Sequence, residues 1–163
     1  MMTNRLAIAL VLFAVACTDA GEPASSADAG PVSGDPQLAP QGHAALTTWL
    51  QEGHYLAWAC EDAPHPARPP GAHGTNRICS NAALSGSTDG DYPIGAVSVK
   101  ELYRNGSING HAVGRKVAGG TAASSWYWYE NIGGSVVADS IGAGLCAGCH
   151  EDAPRDYIFT RVE

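Results

Sequence analysis

The chain predicts a single α+β domain, mainly β, built on an antiparallel sheet flanked by short helices. Three observations predict it. Residues 96–103 (AVSVKELY) alternate with a period of two, the pattern of a strand whose two faces differ. Further runs follow closely, punctuated by the turn signals Asn105-Gly106 and Asn109-Gly110, and strands joined by short turns pair antiparallel. Helical spacing is confined to two short stretches, one at each end of the folded part.

Residues 1–16 read as an export signal. Arg5 supplies the positive start and Leu6 to Ala16 an 11-residue apolar core, too short to span a bilayer as a helix. Ala14-Val15-Ala16 before Cys17 looks like a bacterial lipobox, in which Cys17 becomes the lipidated first residue. The alternative is an ordinary secretory signal cleaved nearby. Both place the mature chain on the periplasmic side of a bacterial membrane, with the lipid on Cys17 as its sole membrane attachment in the first case. Residues 17–40 read as a disordered tether, because 18–40 are Ala, Ser, Gly, Pro and Asp with almost no large apolar side chain. Such a segment cannot bury enough surface to offset its ordering entropy. The folded part is then 41–163, one domain.

Within it, Ala45, Leu46, Trp49 and Leu50 predict a helix over 42–51. In 96–103, Val97, Val99, Glu101 and Tyr103 share one face; Ala96, Ser98, Lys100 and Leu102 share the other. Strands are expected at 111–118, 125–130 and 134–138, a short helix at 142–150 and a final strand at 157–161. Removing residues 1–16 leaves eight basic residues against sixteen acidic ones, a formal charge of −8. With no basic patch, nucleic acid is excluded as a partner, and the acidity suits cationic partners instead.

The chemistry is concentrated in Cys146-Ala147-Gly148-Cys149-His150. A C-x-x-C-H run is the attachment signature of a c-type haem. Two thiols bond to the two vinyl groups of one porphyrin, and the adjacent imidazole serves as an axial iron ligand. This assigns one covalent haem c to Cys146 and Cys149, with His150 as the proximal metal ligand. Cys60 and Cys79 remain, and exported domains pair their leftover thiols. A Cys60–Cys79 disulfide is expected, closing a Pro/Gly-rich loop and contributing roughly 3 kcal/mol. Two other uses compete: a four-thiolate zinc site, which the wide 60/79 spacing fits poorly, and a redox disulfide at Cys146–Cys149, which wants a βαβ context.

The remaining histidines (His43, His54, His65, His73, His111) include no sixth ligand selected by spacing. Met1 and Met2 both fall in the signal, which excludes His/Met ligation and leaves His/His or an open iron position. Lys100 is one of two lysines. Read alone, it is an edge-strand lysine that discourages sheet pairing.

Residues 92–102 (YPIGAVSVKEL), the aromatic run Trp126-Tyr127-Trp128-Tyr129, and Cys146–His150 followed by 156–161 (DYIFTR) together resemble the cytochrome P-460 family over about residues 41–163. The pairing of C-x-x-C-H with D-Y-x-F-T-R is the specific part. The resemblance implies a periplasmic, mainly-β c-haem protein that forms homodimers and binds nitric oxide or oxidises hydroxylamine at an open iron. It implies that Lys100 is cross-linked to the haem ring, which would tune the iron. Hydroxylamine-oxidising members use a distal carboxylate as a proton relay. The corresponding strand, 110–120, contains no acid. Arg77 is the candidate distal-pocket cation, with a surface arginine as the alternative. Trp126 and Trp128 are expected on the core or haem edge, and Tyr127 and Tyr129 in the core or at a dimer interface.

Three functions follow from these readings. The first is a haem protein taking a small nitrogen-containing ligand, with hydroxylamine oxidation as the enzyme activity and an unspecified redox partner. The second is a six-coordinate c-type cytochrome that transfers electrons without catalysis. The third is a haem-free lipoprotein stabilised by zinc or disulfides.

Overall fold

The computed structural model describes residues 38–163. The signal segment, Cys17 and tether residues 18–37 lie outside the described residues. The described part is a single mainly-β domain. Its six strands are β1 (Ala59–Cys60), β2 (Asn76–Ser80), β3 (Val97–Arg104), β4 (Ser107–Lys116), β5 (Trp126–Ile132) and β6 (Ser135–Ile141). They form one antiparallel sheet in sequence order, β1 to β6, each strand pairing with the next. Helices α1 (His43–Gln51) and α3 (Gly144–His150) stand at the two ends of the chain, as expected, and a four-residue α2 (Ala82–Ser85) follows β2.

The alternation of 96–103 sorts the sheet's two faces. Val97 and Val99 are fully buried with Leu46, Trp49 and Leu50 of α1, burial that contributes about 1.5–3 kcal/mol per large apolar side chain. Leu38 and Ala39, at the end of the expected tether, pack against this same core. Arg115 donates to the Ala39 carbonyl at 2.8 Å. On the other face Trp126 and Trp128 join Leu84, Tyr92, Ala96 and Ile158 in a second cluster, with Cys146 of α3 packed against it.

Two expectations are corrected. Asn109-Gly110 is not a turn; it lies inside β4. Glycine is needed there because a Cβ would sit 1.9 Å from the carbonyl oxygen of Asn131 on the next strand. Close backbone approach, not chain reversal, explains this residue. Residues 157–161 do not form a strand. Asp156 and Tyr157 take left-handed φ angles of 38° and 65°, and only an isolated bridge joins Arg155 to Ile158. The backbone here is tied to side chains elsewhere, as where Val162 donates to Ser80 Oγ at 2.9 Å. Of the two alternatives for Tyr127 and Tyr129 the structure has the core, both residues being 2 % exposed under α1. Tyr127 accepts from the Gly42 backbone through its hydroxyl at 2.9 Å.

The expected disulfide is present. Cys60 and Cys79 are bonded as a directly opposed pair in the β1–β2 ladder. It fastens the first strand across a loop poor in apolar contacts. With these two thiols used, they cannot join a four-thiolate zinc site. No group of three or more His, Cys, Asp or Glu side chains able to hold a metal ion occurs among the described residues.

Candidate haem site

Helix α3 carries Cys146, Cys149 and His150. Positions three and four apart share a helix face, so both thiols and the imidazole can address one ligand. That face meets the Trp126/Trp128 side of the sheet, and between them lies a largely apolar cavity of about 290 Å³. Such a volume is near the lower bound of cofactor and ligand pockets, about 300 Å³. Cys146, Cys149, His150, Lys100 and Glu130 all line it, with Trp128, Phe159 and His73.

His150 is oriented by a hydrogen bond of 2.7 Å between Nδ1 and the carbonyl oxygen of Tyr157. A carbonyl can only accept, so Nδ1 carries the proton and Nε2 is left as the lone-pair nitrogen. This is the arrangement of a metal-ligating histidine, whose second nitrogen is held by a backbone carbonyl or carboxylate. Burial lowers the imidazole's pKa, with the Tyr157 bond opposing. The neutral form that ligation requires is therefore favoured. The ring is flanked by Trp128 at 4.6 Å and Phe159 at 5.4 Å between centroids. Trp128 itself lies across Gly114, where a Cβ would stand 3.0 Å from its ring.

Lys100 projects from β3 into this cavity. Its ammonium makes no hydrogen bond or ion pair among the described residues. Burial pulls its pKa down, against the attraction of Glu61 and Glu130. A desolvated amine with no hydrogen-bond partner is unfavourable unless a ligand employs it. The Cys146 thiol is also desolvated and is pushed up to about 11, whereas Cys149 is exposed.

No acid of 110–120 reaches the cavity, but one of the neighbouring strand does. Lys100 is opposite Ala112, and Ala112 is opposite Glu130, so lysine and acid flank one small residue on the same face. Glu130 is 8 % exposed, and its Oε1 lies 3.3 Å from Nδ1 of His73. Period-two counting could have found it, because Glu130 shares parity with Trp126 and Trp128. Nothing in the sequence pattern marks His73, which a loop brings within 6.3 Å of His150 between ring centroids.

Arg77 is not brought to the cavity. It sits opposite Glu101 in the β2–β3 ladder, and its guanidinium donates to Glu101 at 3.3 Å and 3.4 Å and to the Glu61 carbonyl at 2.8 Å. It belongs to the α1 side of the sheet, which corrects its expected place in a distal pocket.

Comparison with known proteins gives no match: no family model fits the chain, and no curated protein or solved structure is similar to it. The functional reading therefore rests on the motifs and on this geometry.

Proposed function

We propose that this chain is an exported, lipid-anchored c-type haem protein of the cytochrome P-460 kind, which binds and oxidises small nitrogen species such as hydroxylamine and nitric oxide. One observation carries the reading. The C-x-x-C-H helix faces a cavity in which His150 already has Nδ1 occupied and, among the described residues, Nε2 unengaged. Cys146 and Cys149 would hold the haem covalently and His150 would ligate its iron. Bound there, the group would supply an iron position for the ligand and an outlet for electrons.

The chain's own residues account for the rest. Trp128, Phe159 and Ile158 give the cavity apolar walls that exclude water from the ligand. Lys100 stands where the resemblance implies the ring cross-link. Oxidising an N–H or O–H bond releases protons as well as electrons, and Glu130 is the carboxylate positioned to accept one. The electrons pass to an external redox partner. Homodimer formation belongs to the same reading.

A second reading, a six-coordinate electron carrier, is favoured by His73. Its ring lies 6.3 Å from that of His150 across the same cavity, and His73 would be the second imidazole to hold a six-coordinate iron. The absorption spectrum of the reduced protein, matured with haem, separates the two readings. A broad, red-shifted Soret band that changes with nitric oxide is expected for an open, cross-linked iron. A sharp c-type spectrum indifferent to nitric oxide would select the electron carrier, and absence of haem would sink both.

A further inference from the structure

We propose that the buried Lys116–Asp156 ion pair is a positioning device for His150, acting through the backbone carbonyl of Tyr157 to set the electron-donating strength of the imidazole. The inference rests on the haem reading above. Lys116 and Asp156 have side chains 0 % and 1 % exposed, with Nζ 2.6 Å from Oδ2 and 2.8 Å from Oδ1. Lys116 also donates to the Gly120 carbonyl at 2.8 Å, so its head is fixed from the sheet and from the following loop. The Asp156 carboxylate accepts two further bonds, from the Tyr92 backbone N–H at 2.8 Å and from Trp126 Nε1 at 3.1 Å.

This carboxylate, held on all sides, sits at the start of a strained turn. Asp156 and Tyr157 both have left-handed φ angles, which side chains of their kind rarely adopt and which persist only where the surroundings impose them. That turn aims the Tyr157 carbonyl at His150 Nδ1, 2.7 Å away. Backbone and carboxylate partners behind a ligating histidine raise its basicity and tune the metal. A purely structural ion pair would need none of this geometry. It could be replaced by apolar groups with little effect on the site.

The test uses the full chain matured with haem. Two variants are compared: Asp156→Asn, and Asp156→Asn combined with Lys116→Met, which leaves no unpaired buried charge if the single variant fails to fold. Glu101→Gln, which disturbs a buried carboxylate on the opposite face, controls for lost stability alone. Potentiometric titration should show the variants shifted toward the ferrous state about tenfold at a fixed potential, about 59 mV for one electron. The iron–histidine stretching frequency should fall, and the Glu101→Gln protein should show neither change. Unchanged potential and frequency in folded, haem-loaded variants, or equal shifts in the Glu101→Gln control, would overturn the proposal. Nitrogen NMR of His150 in the unsubstituted, haem-free chain gives a readout independent of the variants. It should show the Nδ1–H tautomer, and finding the proton on Nε2 alone would also overturn the proposal. Failure of the unsubstituted chain to take haem would instead sink the haem reading itself.

Discussion

Lys100 and Glu101 are neighbours on one strand and opposites in circumstance. Glu101 faces α1 and is 1 % exposed. It accepts from Tyr55 at 2.8 Å, from Tyr103 at 2.7 Å and from Arg77. Burial, together with Glu101, drives the Tyr55 hydroxyl well above its usual range. Lys100 faces the cavity and has no hydrogen-bonded partner among the described residues. A buried carboxylate surrounded by donors completes a fold, whereas a desolvated ammonium without acceptors is costly unless something outside the chain meets it. At this pair of positions the charge on the α1 face is met within the chain, and the one on the α3 face is turned toward a space. The two faces share every strand and differ only in the parity of the residues.

The largest expected effect lies on the cavity side. Cys146→Ser combined with Cys149→Ser should abolish covalent haem retention, read by haem staining after denaturing electrophoresis, with Cys60 and Cys79 untouched. Retained covalent haem in that variant would break the assignment of the motif. Next, Glu101→Gln should cost about 1–3 kcal/mol in denaturant unfolding of the haem-free chain, because one of the two oxygens that accept from Tyr55, Tyr103 and Arg77 is replaced by an amide donor facing those donors. Lys100→Met should leave stability unchanged within about 0.5 kcal/mol or raise it, since removing a desolvated charge relieves a penalty. Equal costs for the two would erase the distinction between the faces.

A third measurement reads the cavity through its thiols. In the haem-free, reduced chain at pH 8, an alkylating reagent should modify exposed Cys149 at least about tenfold faster than Cys146, whose pKa of about 11 leaves little thiolate. Equal rates by mass spectrometry would mean that Cys146 is not half-buried against the Trp126/Trp128 cluster.

The smallest effect concerns His111, beside Tyr55 on the α1 face. Burial lowers its pKa, with Glu101 opposing. A histidine held neutral when folded binds its proton more readily when unfolded. Its stabilisation is therefore full above the unfolded value near 6.5 and is lost as pH falls toward the folded value. Stability should decline below about pH 6.5 with a slope of at most about 1.4 kcal/mol per pH unit from this group. His111→Phe should flatten that decline, and an unaltered pH profile would remove His111 from the account.

The sequence made the sheet legible wherever alternation was strong. Val97 to Leu102 and Trp126 to Glu130 each declare two faces, and the spacing of Leu46, Trp49 and Leu50 declares α1. It misled at Asn109-Gly110, where the glycine answers to a neighbouring backbone that only tertiary pairing reveals. It misled again at 157–161, whose alternation is overridden by the carboxylate of Asp156 and its partners from distant segments. For the site, Cys146, Cys149, His150 and Lys100 were readable from motif and resemblance. Glu130, the carboxylate that lines the cavity, was readable from parity on the strand after 110–120. His73 arrives on a loop without periodicity, and Arg77 lies on the wrong parity relative to Lys100 in the ladder.

The central claim is that one haem is held covalently in the cavity between α3 and the sheet. Peptide mapping of the haem-matured protein by mass spectrometry tests it most directly. The account predicts a single haem-bearing species that carries Cys146 and Cys149 and is joined through the ring to the peptide containing Lys100. Free thiols at Cys146 and Cys149, with every peptide lacking haem, would contradict it.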